Sequence, residues 1–177
     1  TKGLWGFTLD QIENVYQVLA LPNSLGAKGI GDDGYTVDGV LNTPEWEKAM
    51  QFYQDMYIKN GVSPNGLSND ELRETYGAGT IPLYVANTIR AKEVDFDVDW
   101  ALHPYFEGGQ PATPMGSWAQ GINKNTKKLN ETLHFLKWCT AGDGAEFWMI
   151  NNNQLSARKD LLEAMDNGAY PAYETYP

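Results

Sequence analysis

The segment PYFEGGQPATPMGSWAQGINKNTKK, residues 104–128, separates two parts of the sequence. Its first thirteen residues, 104–116, contain three prolines and three glycines, which is typical of an irregular loop. Ser117 and Trp118 follow, and a short apolar step to Ile122 leads to the start of a helix. The segment therefore leaves a tryptophan between a rigid loop and a helix.

The composition is that of a globular protein. The chain has 177 residues, of which 42% are hydrophobic and 20% charged, and this suits one domain or two small lobes. The net charge of −10 makes nucleic acid and anionic membrane surfaces poor partners. One cysteine, Cys139, fits either a reducing compartment or an exported bacterial protein without disulfides. No signal peptide opens the sequence, so we expect a processed or truncated chain.

Helices dominate the predicted secondary structure. Thr8 and Gln11 form a capping box, and Ser68 with Glu71 forms another. Helical spacing of apolar residues and the capping signals predict helices over 8–20, 43–60, 68–76, 129–139, 143–150 and 156–165. The first of these should be broken by Pro22, and the second should bury a face formed by Trp46, Ala49, Met50, Tyr53 and Tyr57.

Strands and turns fill the intervals between the helices. Residues 80–85 read as a strand that begins near Pro82, and residues 95–100 alternate strictly between aspartate and apolar residues. The Asp33-Gly34 pair is typical of a hairpin turn. Strands that alternate loosely with helices indicate an α/β or α+β class with long connections.

The sequence contains no strong catalytic or metal-binding motif. The glycines around Ser117 are misplaced for a nucleophile elbow, and no zinc or phosphate-binding pattern occurs. The aspartates at 95, 97 and 99 could form a metal site or a glycosidase pair, but a solvated sheet face explains them at lower cost. We therefore expect no metal and no cofactor, and the sequence leaves a pair of glycosidase carboxylates open.

Four motifs in order carry a family resemblance. They are NTPEWEKAMQFYQDMYIKNGVSP at 42–64, TYGAGTIPLYVAN at 75–87, VDWALHPYFEGGQPATPMGSWAQGINKNTK at 98–127, and LHFLKWCTAGDGAEFWMINNNQLSARKDLL at 133–162. With these four motifs in this order, the chain resembles the C-terminal half of the extracytoplasmic solute-binding proteins of ABC transporters, in the sugar-binding, maltose-binding-protein-like family. Ser156 departs from the family pattern, which has proline at that position.

The resemblance implies an α/β fold of the periplasmic-binding-protein type II, present in part. Residues 1–115 would supply part of the C-terminal lobe, and 116–177 the crossover turn, helices belonging largely to the other lobe and an irregular tail. The implied function is carbohydrate binding for import, without catalysis, by a monomer that is periplasmic or lipid-anchored at the cell surface. Its partners would be the sugar and the permease subunits of an ABC transporter, and not nucleic acid.

The resemblance also implies the ligand-binding residues. Gly116, Ser117 and Trp118 would lie where the chain crosses between lobes, with the indole stacked on a sugar ring. The other candidates are Trp5, Phe7, Tyr84 and Asn87. Core packing is the competing interpretation for the aromatic residues. Two other functions stay open: a glycoside-active enzyme domain with paired carboxylates, and a structural fragment with no cleft of its own.

Overall fold

The computed structural model describes residues 3–10, 15–116, 118–152 and 154–171. They belong to two compact units. The first unit comprises Thr1–Asn87 and Ala101–Gly116, and the second comprises Thr88–Trp100 and Ser117–Pro177. The assignment of 1–115 and 116–177 to two lobes of a whole protein stays a prediction.

The first unit contains a two-stranded parallel ribbon and three α-helices. Strands β1 (Phe7–Leu9) and β2 (Leu83–Val85) pair in the register Phe7↔Leu83, Thr8↔Tyr84 and Leu9↔Val85. The helices are α1 (Ala20–Ser24), α2 (Pro44–Gln54) and α3 (Asn69–Gly77), with a 3₁₀ helix at Val15–Leu19 and a π-helical turn at Asp55–Lys59. Backbone N–H groups of Gly6 and Phe7 donate to Val62 on the other side of β1.

Local sequence signals explain α2 and α3. Pro44 occupies the first turn of α2, where its missing N–H is no loss. Ser68 and Glu71 form the predicted capping box: the Glu71 N–H donates to the Ser68 hydroxyl over 3.3 Å, and the Ser68 N–H donates to the Glu71 carboxylate over 2.8 Å. The box satisfies two N–H groups that a helix start would otherwise leave unpaired.

The core of the first unit lies between α2 and β1. Leu9, Leu21, Ala49 and Tyr53 form a buried cluster, and the partly buried hydrophobic residues packed against it are Phe7, Val18, Tyr57, Val85 and Phe106. Met50, which we expected on the buried face of α2, is exposed, whereas Met56 is buried. Met56 lies in the π-helical turn, whose wider spacing changes which residues reach the core.

The predicted helix over 8–20 is wrong at its start. Thr8 lies in β1 and is fully buried, so it does not cap a helix, and Gln11 lies outside the described residues. Tertiary pairing with β2 overrides the local capping pattern here. Among the described residues, helical turns run from Val15 through Pro22, which sits in the first turn of α1 where proline is tolerated.

The Asp33-Gly34 pair forms a closed loop in place of the expected hairpin. The Asp33 carboxylate accepts from the N–H groups of Tyr35 and Thr36, and the Gly31 N–H donates to the Thr36 carbonyl over 2.7 Å. The hydroxyl of Thr36 also donates to Asp33, and these bonds lower the pKa of Asp33 to about 2. Gly34 has a φ of 76°, as the turn requires, but the described residues on either side form no strand.

The second unit contains three α-helices and a 3₁₀ helix. These are α4 (Leu129–Ala141), α5 (Asp143–Asn152), α6 (Lys159–Asp166) and the 3₁₀ helix Thr88–Glu93. Arg158 donates to the carbonyls of Ala141 and Gly142, which ties the start of α6 to the end of α4. Met149 and Leu161 form its small core.

The strand predicted over 95–100 is absent. These residues have no regular structure, and all three aspartates are exposed. A strand requires a neighbouring strand, and in the part of the chain that the structure describes β1 and β2 pair only with each other. The alternation of polar and apolar residues at 95–100 therefore does not produce a strand.

The apolar stripes of α4 and α5 are largely exposed. Cys139 lies on the apolar stripe of α4 with Leu129, Leu133 and Leu136. It is only partly buried, and α4 contains no fully buried residue among those described. The exposed large side chains on the two helices are Leu129, Leu133, Phe135, Trp138, Phe147, Trp148 and Ile150. Among the described residues, none of the helices has both the length and the apolar character that crossing a bilayer requires.

Gly109 allows the backbone to pack closely against the carbonyl groups of Ser24 and Phe106. A Cβ at this position would lie 2.7 Å from the Ser24 carbonyl oxygen and 3.0 Å from the Phe106 carbonyl oxygen. Both contacts are with backbone atoms, and the Ser24 oxygen also accepts from Gln110 over 2.8 Å. Because neither oxygen can move cheaply, we expect Gly109→Ala to lower the free energy of unfolding by about 1–3 kcal/mol.

Urea denaturation measures this loss, with Gly77→Ala as the control. Gly77 ends α3, and a Cβ there would have no neighbour within 4 Å. That change should be neutral or stabilise by up to about 1 kcal/mol, because alanine has the higher helix propensity. Equal unfolding midpoints for the two variants would contradict the steric argument.

Candidate functional site

The register of the β1–β2 ribbon places polar side chains on one face. Side chains of paired residues in parallel strands point to the same side, and side chains alternate along each strand. Leu9 and Val85 pack on the core. Thr8 and Tyr84 therefore point to the opposite face, together with the side chain of Asp10, which follows β1.

Asp10 is the centre of a buried polar network at the carboxyl end of β1. Its side chain accepts from the Tyr84 hydroxyl at Oδ1 and from Gln17 Nε2 over 3.2 Å at Oδ2. The Asp10 N–H in turn donates to Gln17 Oε1 over 3.0 Å. Asp10 is only 2% exposed and Gln17 only 3%. A buried carboxylate is tolerated when its oxygens accept hydrogen bonds, and this network supplies them.

Tyr84 is held at both ends of its side chain. The hydroxyl donates its proton to Asp10, and the ring lies against Tyr76 with centroids 5.1 Å apart and an angle of 52° between the planes. Any further hydrogen bond at this oxygen must therefore come from a donor. A tyrosine hydroxyl can also donate to a ligand, but in this structure the Tyr84 proton goes to Asp10.

The other candidates in the first unit have different environments. Asn87 is exposed, just beyond the carboxyl end of β2. The half-buried Trp5 is fixed through its backbone N–H, which donates to the Thr80 carbonyl over 2.9 Å. Phe7 packs against the core cluster, so its ring has a structural role in addition to any role in binding.

Gly116 lies next to the 3₁₀ helix that carries the network. A Cβ at Gly116 would meet the Tyr16 ring at 3.5 Å, which is ordinary van der Waals contact. Tyr16 is the sequence neighbour of Gln17, so Gly116 lies near the short helix whose Gln17 donates to Asp10. Glycine permits close backbone approach, but the contact of Gly116 with Tyr16 would also tolerate alanine.

Trp118 is 86% exposed, and Ser117 lies outside the described residues. The indole is therefore not wedged into a core formed by the described residues. Trp118 belongs to the second unit, and its proximity to Tyr84 stays a prediction.

Sequence reasoning missed four members of this site. Tyr16, Gln17 and Tyr76 looked like ordinary helix residues, and Asp10 looked like an interior position of the predicted helix over 8–20. The available signal was the alternation of apolar Phe7 and Leu9 with polar Thr8 and Asp10. No group of three or more metal-binding side chains is positioned to hold an ion within the described parts of the chain.

Comparison with known proteins gives a consistent result. A family model described as bacterial extracellular solute-binding protein matches residues 4–146. A search of curated proteins finds no significant match. Two solved structures share the fold, and both are described as binding proteins.

The first is an ABC transporter solute-binding protein from Thermotoga lettingae bound to α-D-tagatose, with a TM-score of 0.79 and 19% identity over 98% of this chain. The second is the maltose-maltodextrin binding protein of Alicyclobacillus acidocaldarius, with a TM-score of 0.72 and 21% identity over 97% of this chain. The chain spans about half of each of these proteins, 47% and 48% respectively. The predicted fold class, a partial α/β fold of the periplasmic-binding-protein type II, is confirmed.

Replacing Tyr84 and replacing Tyr53 by phenylalanine should affect the free energy of unfolding differently. The Tyr84 hydroxyl donates to a buried carboxylate, so Tyr84→Phe should lower the free energy of unfolding by about 1.5–3 kcal/mol. The buried Tyr53 hydroxyl has no hydrogen-bond partner among the described residues, and burial raises its pKa. Tyr53→Phe should therefore be neutral or stabilise by up to about 1 kcal/mol.

Both variants lose one hydroxyl oxygen, but only Tyr84→Phe loses a hydrogen bond. The difference between their free energies of unfolding therefore reports on the bond from Tyr84 to Asp10. Urea denaturation monitored by tryptophan fluorescence measures both changes. A Tyr84→Phe variant as stable as Tyr53→Phe would show that the bond to Asp10 contributes nothing.

Proposed function

Since the chain belongs to the bacterial extracellular solute-binding proteins, we propose that it forms part of a protein that binds a carbohydrate and delivers it to an ABC transporter. The family match over residues 4–146 carries this proposal. It is supported by the two solved structures, one of which is bound to a ketohexose and the other described as binding maltose and maltodextrin.

The geometry of the first unit is compatible with this function. In open α/β sheets, ligands bind beyond the carboxyl ends of the strands. The Asp10 network and Asn87 lie at that end of the ribbon. Hydroxyl, amide and aromatic groups are the side chains that recognise sugars, because they exchange hydrogen bonds with sugar hydroxyls and pack on C–H faces.

The whole protein would work outside the cytoplasm, in a periplasm or anchored by lipid at the cell surface. Its membrane partners would be the permease subunits of the transporter, which it would meet as a monomer. Binding without turnover is favoured over the glycoside-active alternative, because the family consists of solute-binding proteins.

A thermal-shift screen of the whole protein tests the proposal. The protein should first be unfolded and refolded to remove any ligand carried through purification. D-tagatose, other monosaccharides, maltose and longer maltodextrins form the panel, and amino acids and short peptides form the control panel. A sugar present at one hundred times its Kd should stabilise the protein by about 2.7 kcal/mol, which gives a clear rise in Tm.

Chromatography of the sugar after incubation separates binding from catalysis. An unchanged sugar together with a raised Tm supports the proposal. Turnover of the sugar, or stabilisation by an amino acid or peptide alone, would contradict it.

Trp118→Ala should weaken sugar binding without affecting folding. Loss of an aromatic stacking contact together with its buried area should reduce affinity several-fold to a few hundred-fold. Because the side chain is 86% exposed, the free energy of unfolding should change by no more than about 0.5 kcal/mol. Calorimetric titration and urea denaturation of the same variant measure the two quantities.

Tyr35→Ala is the matched control, since Tyr35 is an aromatic residue with 88% exposure outside the candidate site. It should leave sugar affinity unchanged. Normal affinity in Trp118→Ala would remove Trp118 from the binding site.

A further inference from the structure

Asp10 is an unusual residue to find almost completely buried. Aspartate is rarely buried unless its charge is compensated, and its burial therefore indicates a specific structural demand. Its two carboxylate oxygens accept from two different side chains, Tyr84 and Gln17. Gln17 also accepts from the Asp10 backbone, so backbone and side chain of Asp10 are held by one amide group. This reciprocal pair fixes the direction of the carboxylate.

The carboxylate in turn fixes the tyrosine. Tyr84 is paired with Thr8 in the ribbon, and Asp10 lies two residues further along the same strand direction, on the same face. The Tyr84 ring is only half-buried, and it lies against Tyr76 on α3. The hydrogen bond at the hydroxyl and the ring contact with Tyr76 together restrict the orientation of Tyr84 at the carboxyl edge of the ribbon.

We propose that Asp10 is a positioning residue, which holds the Tyr84 ring and hydroxyl in one orientation at this edge before any ligand arrives. For the ligand, the inference rests on the proposed function, in which Tyr84 contacts a carbohydrate. A side chain that is already ordered loses no rotamer freedom when it binds, and this raises affinity without an additional contact. Since the Tyr84 proton goes to Asp10, the network also favours ligand groups that donate towards Tyr84.

The orientation of Tyr84 can be measured without a ligand. The whole protein is prepared with 3-fluorotyrosine at position 84, and its ¹⁹F NMR resonance is recorded at neutral pH. In Asp10→Ala the resonance should narrow and move towards that of the free amino acid, because the hydroxyl loses its acceptor. In Asp10→Asn it should stay close to the wild-type position, because the amide oxygen can still accept from Tyr84.

Ser63→Ala is the matched control. Ser63 is as buried as Asp10 and donates to the carbonyl of Phe7 on β1, but it does not touch Tyr84. Its loss should lower stability and leave the fluorine resonance in place. If Asp10→Ala does not fold, Gln17→Met replaces it, since this change releases the carboxylate that holds Tyr84 and should move the resonance in the same direction.

Sugar affinity provides the second measurement. Asp10→Ala and Tyr84→Phe should each weaken binding about three- to tenfold, which corresponds to loss of one hydrogen bond. The double variant should be no weaker than either single variant, because Asp10 acts through the Tyr84 hydroxyl. Multiplied losses in the double variant would show that Asp10 acts independently and would overturn the inference.

The fluorine resonance tests the positioning role of Asp10, and the sugar affinity tests the proposed function. An unchanged fluorine resonance in the folded Asp10 or Gln17 variant overturns the positioning role, whatever the protein binds. A wild-type protein that binds no sugar contradicts the proposed function, while the fluorine comparison still decides whether Asp10 positions Tyr84.

Discussion

The parallel pairing of β1 with β2 is the constraint on which the first unit depends. It turns Leu9 and Val85 towards the core beneath α2, and it turns Thr8, Asp10 and Tyr84 to the opposite side. Both the apolar core and the polar network follow from one register. A slip of one residue would exchange the two faces and bury the wrong set of side chains.

The site is organised by the same pairing. A carboxylate is costly to bury unless its oxygens accept hydrogen bonds, and Tyr84 and Gln17 are the donors at Asp10. Gln17 comes from the 3₁₀ helix that follows shortly after β1, and Tyr84 comes from β2, 74 residues further along the chain than Asp10. The same hydrogen bonds that allow Asp10 to be buried therefore also hold Tyr84, a candidate binding residue.

Sequence reasoning succeeded where the signals were local. The capping box of α3 and the proline of α2 involve residues within one helical turn, and the structure has both helices at these positions. The strand Phe7–Leu9 was missed because its partner is far along the chain and the residues around it resemble a helix start. The segment 95–100 was mistaken for a strand, because alternation records two environments but not whether a neighbouring strand exists. Asp10 and Gln17 could not be recognised before the ribbon was known.

The register of the ribbon also has a kinetic consequence. Phe7 and Leu83 become neighbours only after the whole intervening chain, including α1, α2 and α3, has been arranged between them. Closing so long a loop costs entropy before any strand bond repays it, so contacts of this kind form slowly. During synthesis from the N-terminus, the hydrogen bond from Tyr84 to Asp10 can form only after β2 has been synthesised. The backbone hydrogen bonds of the helices join near neighbours and do not carry this entropic cost.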